Sequence, residues 1–176
     1  MAAAEIAHRD LKPENWFVKY DGAPSVYIGD LDRATNQRFS SQAYTGTFGF
    51  QSLEFMIGPH WNTLKGDVFA AAMSMLEVLF VPRLAAGVKW PFIKLWRAIL
   101  DQRTRVSPEH PWTLEATDIE KVLLGEEFAA FLPGMTEALA SVFAKAMCAQ
   151  KNRYTAKEFK DALLPLLPLQ LEAEEC

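Results

Sequence analysis

The chain has 176 residues, half of them hydrophobic and 23% charged, which is enough for one domain with a core of its own. Its net charge of −4, with no two Lys or Arg residues adjacent, argues against a nucleic-acid or anionic-membrane surface. The two cysteines, Cys148 and Cys176, are too few and too far apart for a disulfide framework. They point to a reducing, intracellular setting, expected to be cytoplasmic with the nucleus left open.

The residues up to Asp10 include Glu5 and Arg9 and lack a long apolar run, unlike a signal peptide. A polar stretch, His8-Arg9-Asp10-Leu11-Lys12-Pro13-Glu14-Asn15, leads into two β-type runs, Trp16-Phe17-Val18 and Ser25-Val26-Tyr27-Ile28. The turn cluster Asp21-Gly22-Ala23-Pro24 between them predicts a hairpin. From Asp30 to Glu54 the chain is polar, rich in Ser, Thr, Gly and Gln, and without helical periodicity; such a loop in a small domain is usually functional.

Beyond Gly58-Pro59 the pattern becomes helical. Gly66-Asp67-Val68-Phe69 opens a helix running to Phe80, apolar nearly all round and so expected to be surrounded by protein. The longest apolar stretch, Val68 to Pro82, is interrupted by Glu77 and falls short of the roughly 20 residues a bilayer needs. Phe92, Leu95, Trp96 and Ile99 mark an amphipathic helix after Pro91. A linker-like stretch is expected next, with Pro108, Pro111 and the run Thr-Leu-Glu-Ala-Thr-Asp-Ile-Glu. Helices follow over Thr136–Ala149 and Thr155–Leu167, and Pro165 and Pro168 end the second. The acidic tail from Glu172 to Cys176 is expected to fray. His60 and His110 have no metal-ligand company, and Trp61, Trp90, Trp96 and Trp112 are expected in the helical core.

The octapeptide His8 to Asn15 carries the strongest chemical signal. It resembles the catalytic loop of serine/threonine protein kinases, His-Arg-Asp-Leu with Asn four residues after the Leu and Lys two after the Asp. The resemblance implies that Asp10 accepts a proton from a substrate hydroxyl. Lys12 offers a cation to the transferring phosphoryl group, and Asn15 holds a metal ion beside the nucleotide phosphates. Further on, Tyr27-Ile28-Gly29-Asp30-Leu31-Asp32 resembles the family's metal-binding Asp-Phe-Gly segment, with Asp30 as the Mg²⁺ ligand. Asp32 stands where the family has Gly, which adopts positive φ without steric strain.

Thr45-Gly46-Thr47-Phe48-Gly49-Phe50 is superficially similar to a phosphate-covering Gly-rich loop, but no Val-Ala-x-Lys strand follows it. It better resembles the end of the kinase activation segment, Gly-Thr-Pro-x-Tyr-x-Ala-Pro-Glu. Gly46, Thr47 and Glu54 match; Phe48, Phe50, Ser52 and Leu53 depart. The resemblance then implies that Thr47 holds Asp10 and Lys12 in place and that Glu54 pairs with Arg153 of Arg153-Tyr154-Thr155. It also implies that Asp67 bonds the backbone of the catalytic loop; as a residue type, Asp is equally suited to capping the helix. His8 is a structural support. Arg9 would meet a phosphorylated residue of the activation loop, with Ser40, Ser41, Tyr44 and Thr45 as candidates.

The expected fold is mainly α: a kinase-like C-terminal lobe of α+β type, with a short hairpin and activation segment followed by a helical bundle. Residues 1–58 carry the catalytic loop and activation segment, 59–171 the helical lobe and 172–176 the tail. No segment supplies the nucleotide-binding lobe, with its Gly-rich loop and strand Lys. The chain thus reads as the truncated phosphate-transfer part of a transferase using ATP and Mg²⁺ on a protein substrate, with no nucleic-acid or membrane partner. Its 176 residues alone are not expected to be active. The helix that precedes the catalytic loop in kinases would pack on Asp67–Phe80, so apolar surface is expected there, open to a partner or a second copy. The competing reading is a kinase-like scaffold, a pseudokinase that binds a partner without catalysis.

Overall fold

A computed structural model describes residues 5–22, 24–40, 46–52, 54, 61–106 and 114–167. The described part is mainly α, with two small antiparallel sheets. β1 (Trp16–Lys19) and β2 (Ser25–Ile28) form the expected hairpin, pairing Trp16 with Ile28, Phe17 with Tyr27 and Val18 with Val26. Gly22 supplies the positive φ of its turn. β3 (Phe39–Ser40) pairs with β4 (Trp61–Asn62).

α1 (Thr63–Phe80) is the central helix and begins earlier than the apolar pattern suggested. Its N-cap is Asn62, whose side chain accepts from the Lys65 amide, so Asp67 lies inside the helix and does not cap it. Pro82 sits in the 3₁₀ turn Val81–Arg83 that ends the helix. α2 (Phe92–Val106) follows Pro91. The stretch expected as linker is in part α3 (Ala116–Leu123), with Ile119 and Leu123 buried four residues apart on one face. α4 (Glu126–Ala129) is a single turn the sequence reading did not anticipate.

α5 (Glu137–Met147) is capped by Thr136, and α6 (Ala156–Leu163) by a Thr155–Glu158 capping box. Pro165 lies in the 3₁₀ turn Leu164–Leu166 that closes α6. Phe69, Met73, Leu76 and Phe80 of α1 are buried with Leu95 and Ile99 of α2, Phe143 and Met147 of α5 and Phe159 of α6. Each such side chain stabilises the fold by about 1.5–3 kcal/mol. α3 packs on α5, and α1 contacts both α5 and the turn Pro13–Asn15. That last contact sets the octapeptide on the rigid centre of the core.

Apolar exposure is concentrated elsewhere than expected. Of the large apolar residues of α1 only Val78 is exposed, whereas the hairpin exposes Phe17, Val18, Val26, Tyr27 and Ile28. Among the described residues no helix is long and apolar enough to cross a membrane. Trp96 is buried and Trp90 is packed at the core edge. Gly58-Pro59, His60, Pro108, His110, Pro111, Trp112 and Cys176 lie outside the described residues, as do Ser41, Tyr44, Thr45 and Leu53.

Candidate functional site

The octapeptide is held from both sides. On one side the Asp67 carboxylate accepts the His8 amide at 2.5 Å and the Arg9 amide at 2.8 Å. On the other, the buried His8 ring bridges two segments: Nδ1 accepts from the Asp10 amide at 3.2 Å, and Nε2 lies 2.7 Å from the Gly29 carbonyl. This pairing requires the tautomer with the proton on Nε2. Gly29 also donates its amide to the Asn15 carbonyl at 2.9 Å, locking the hairpin end to the loop. A Cβ on Gly29 would lie 2.5 Å from the edge of the exposed Phe17 ring, which would have to swing aside.

Asp10, Lys12 and Thr47 form one cluster. The Thr47 hydroxyl donates to Asp10 Oδ1 at 2.7 Å and accepts from Lys12 Nζ at 2.8 Å; Lys12 Nζ lies 3.6 Å from Asp10 Oδ2. Asp10 is buried and Lys12 half-buried, so each is fixed while the ammonium still reaches the surface. Gly46 makes this closeness possible. Its φ is +96°, and a Cβ there would lie 2.6 Å from the Arg9 carbonyl oxygen. Chemically, the cluster offers a carboxylate that can accept a proton and a cation that can meet developing negative charge.

Asn15 is buried, and its side-chain amide donates to the Asp10 carbonyl at 2.9 Å. Asp30 is exposed and follows directly on Gly29. The left-handed backbone of this turn falls on Asp30 (φ 58°) rather than on Asp32, the position the sequence reading singled out. Arg9 has φ 66° as well. Such geometry costs on the order of 1–3 kcal/mol and persists where neighbours over-determine it. For Arg9 those neighbours are the Asp67 carboxylate and the Arg33 carbonyl, which its Nε meets at 2.5 Å. The Asn15 side chain is thus tied to the loop backbone, and among the described residues no group of three or more His, Cys, Asp or Glu could hold a metal ion.

Burial pushes the Asp67 carboxyl up to about 6, against the pull of the two amides it accepts and the nearby His8 and Arg9. Arg153, also buried, pairs with Glu54 at 2.5 Å; Nε and Nη2 donate to the Cys148 carbonyl and Nη1 to the Lys65 carbonyl. Its guanidinium lies 5.4 Å from the Phe69 ring centroid. The structure thus brings together Asp10 with Lys12 and Thr47, His8 and Arg9 with Asp67, and Glu54 with Arg153.

Two aromatic contacts escaped the sequence reading. Phe48 stacks edge-on against Trp96 at 4.4 Å, and Phe50 packs on Phe92 at 4.5 Å, fastening residues 46–52 to α2. The Trp96 indole also donates to the Gln51 carbonyl at 3.1 Å. In the sequence Phe48 and Phe50 appear only as departures from the activation-segment pattern. No protein-family model and no curated protein matches the chain.

Proposed function

We propose that the chain is the C-terminal, phosphate-transfer part of a serine/threonine protein kinase with a kinase-like fold, moving the terminal phosphoryl group of ATP to a protein hydroxyl. The observation that carries this reading is the Asp10–Thr47–Lys12 cluster, built on an octapeptide that resembles a catalytic loop. Asp10 takes the proton as the substrate oxygen forms its bond to phosphorus and the bond to ADP breaks. Thr47 fixes the carboxylate, and Lys12 meets the charge on the transferring group. Asn15 and Asp30 would hold Mg²⁺, which neutralises phosphate charge when bound. His8, Arg9 and Asp67 position the loop, while Glu54 and Arg153 anchor the segment that carries Thr47.

The nucleotide-holding half has to come from residues other than these. The genomic DNA upstream of Met1 tests this: a Gly-rich loop and a Val-Ala-x-Lys strand in frame there support the enzyme reading. A second reading, a kinase-like scaffold, is favoured by Asp32 in the family's Gly position and by the exposed apolar hairpin. An upstream frame without those two elements supports the scaffold.

A further inference from the structure

Phe92 and Trp96, two aromatic side chains four residues apart on α2, both face residues 46–52. The Phe92 ring packs on Phe50 at 4.5 Å and sits over Gly49, where a Cβ would lie 2.4 Å from it. Trp96 makes two contacts. Its ring meets Phe48 edge-on with centroids 4.4 Å apart, and its indole N–H donates to the Gln51 carbonyl at 3.1 Å. Between those two points the Phe50 amide donates to the Thr47 carbonyl at 3.2 Å, closing a turn over Thr47–Phe50. Trp96 therefore grips this turn at both ends: at Phe48, beside Thr47, and at Gln51, beside Phe50. Filling the core asks only for an apolar ring at this buried position. The indole adds a donor, and its acceptor lies in the turn, outside its own helix.

We propose that Trp96 is a positioning residue for the Asp10–Thr47–Lys12 cluster. A turn closed by its own backbone bond moves as a unit, so holding it at Phe48 and Gln51 fixes where the Thr47 hydroxyl points. That hydroxyl donates to Asp10 Oδ1 and accepts from Lys12 Nζ, so the turn carries the position of α2 to the carboxylate and the cation. Glu54 and Arg153 anchor the same chain further along, whereas Trp96 acts on the turn itself. The geometry stands apart from the kinase reading; under that reading, Trp96 keeps the proton acceptor aligned through Thr47.

NMR of the full chain tests this through the rates at which threonine hydroxyl protons exchange with water. Thr63, buried and donating its hydroxyl to the Gln37 carbonyl at 2.7 Å, is the internal reference. Trp96→Phe keeps a ring beside Phe48 and removes the indole donor. Phe48→Leu removes the ring contact at a residue that is 53% exposed, so the core is left intact. Each variant should speed exchange at Thr47 relative to Thr63 by roughly two- to tenfold, the range expected from losing one hydrogen bond or one aromatic contact. Should Trp96→Phe fail to fold, Phe48→Leu carries the test by itself. Equal acceleration at Thr47 and Thr63, or none at Thr47 in either variant, would overturn the proposal and leave Trp96 a core residue only. Because no activity is measured, this outcome is independent of whether the chain belongs to an enzyme.

Discussion

The Arg153 guanidinium meets the Glu54 carboxylate at 2.5 Å while its other donors are taken up by the Cys148 and Lys65 carbonyls. One planar group therefore joins the end of the loop carrying Thr47 to the starts of α1 and α6. Removing it by Arg153→Met leaves a carboxylate and two carbonyls unpaired. The expected loss of stability is about 3–5 kcal/mol, measured by chemical denaturation. Arg153→Lys should recover less than half of that, because an ammonium cannot reproduce the fork. A loss under about 1 kcal/mol for Arg153→Met would contradict the anchoring role.

Asp67 makes the stability of the fold depend on pH in a direction opposite to most carboxylates. Its folded value of about 6 lies above the ordinary 3.8, because burial disfavours the charge. Between those values the folded chain binds more protons than the unfolded chain. The contribution is full below pH 4 and is lost as pH rises through about 6, by at most about 3 kcal/mol. Denaturation midpoints of the wild type should fall across this window relative to Asp67→Asn, which does not titrate. Parallel pH profiles for the two proteins would contradict the assignment.

Gly46 separates conformational need from chemistry. Alanine there must adopt φ near +96° and place its Cβ 2.6 Å from the Arg9 carbonyl. Gly46→Ala should cost more than about 1 kcal/mol and displace Thr47 from Asp10. NMR of the Thr47 hydroxyl region reads the second effect independently of stability. Gly22→Ala, where a Cβ would meet nothing within 4 Å, should cost less.

These residues show what the sequence made legible. Asp10, Lys12, Glu54, Asp67 and Arg153 are single side chains with fixed chemistry, and the resemblance to kinase motifs implied which contacts to look for. The α5 and α6 caps at Thr136 and Thr155 were equally local. α3 was hidden because the prolines before it and its Thr-rich start look like linker, although Ile119 and Leu123 repeat at helical spacing. The positive φ at Asp30 could not be read, since both ends of that turn carry Asp and backbone choice is set by the bonds of Gly29. Phe48 on Trp96 and Phe50 on Phe92 are contacts between distant segments, which no local pattern encodes.

The exposed hairpin sets an expectation for solution behaviour. Trp16, Val18, Val26 and Ile28 share one face, and Val18, Val26 and Ile28 are exposed. Apolar strands left open favour association. Sedimentation should show concentration-dependent self-association of the 176-residue chain, and Val18→Lys with Val26→Lys should weaken it without lowering the melting temperature. A wild type that stays monomeric at high concentration would rule this out.

The central claim rests on Asp10. The decisive measurement is phosphate transfer from ATP to a protein substrate by the chain joined in frame to an upstream nucleotide-binding lobe, with and without Asp10→Asn. Loss of the general base should lower kcat by about 10²–10⁴-fold while the thermal midpoint of the folded protein stays close to that of the parent. Equal rates for the two proteins, or no transfer by either, would contradict the kinase reading and leave the scaffold in its place.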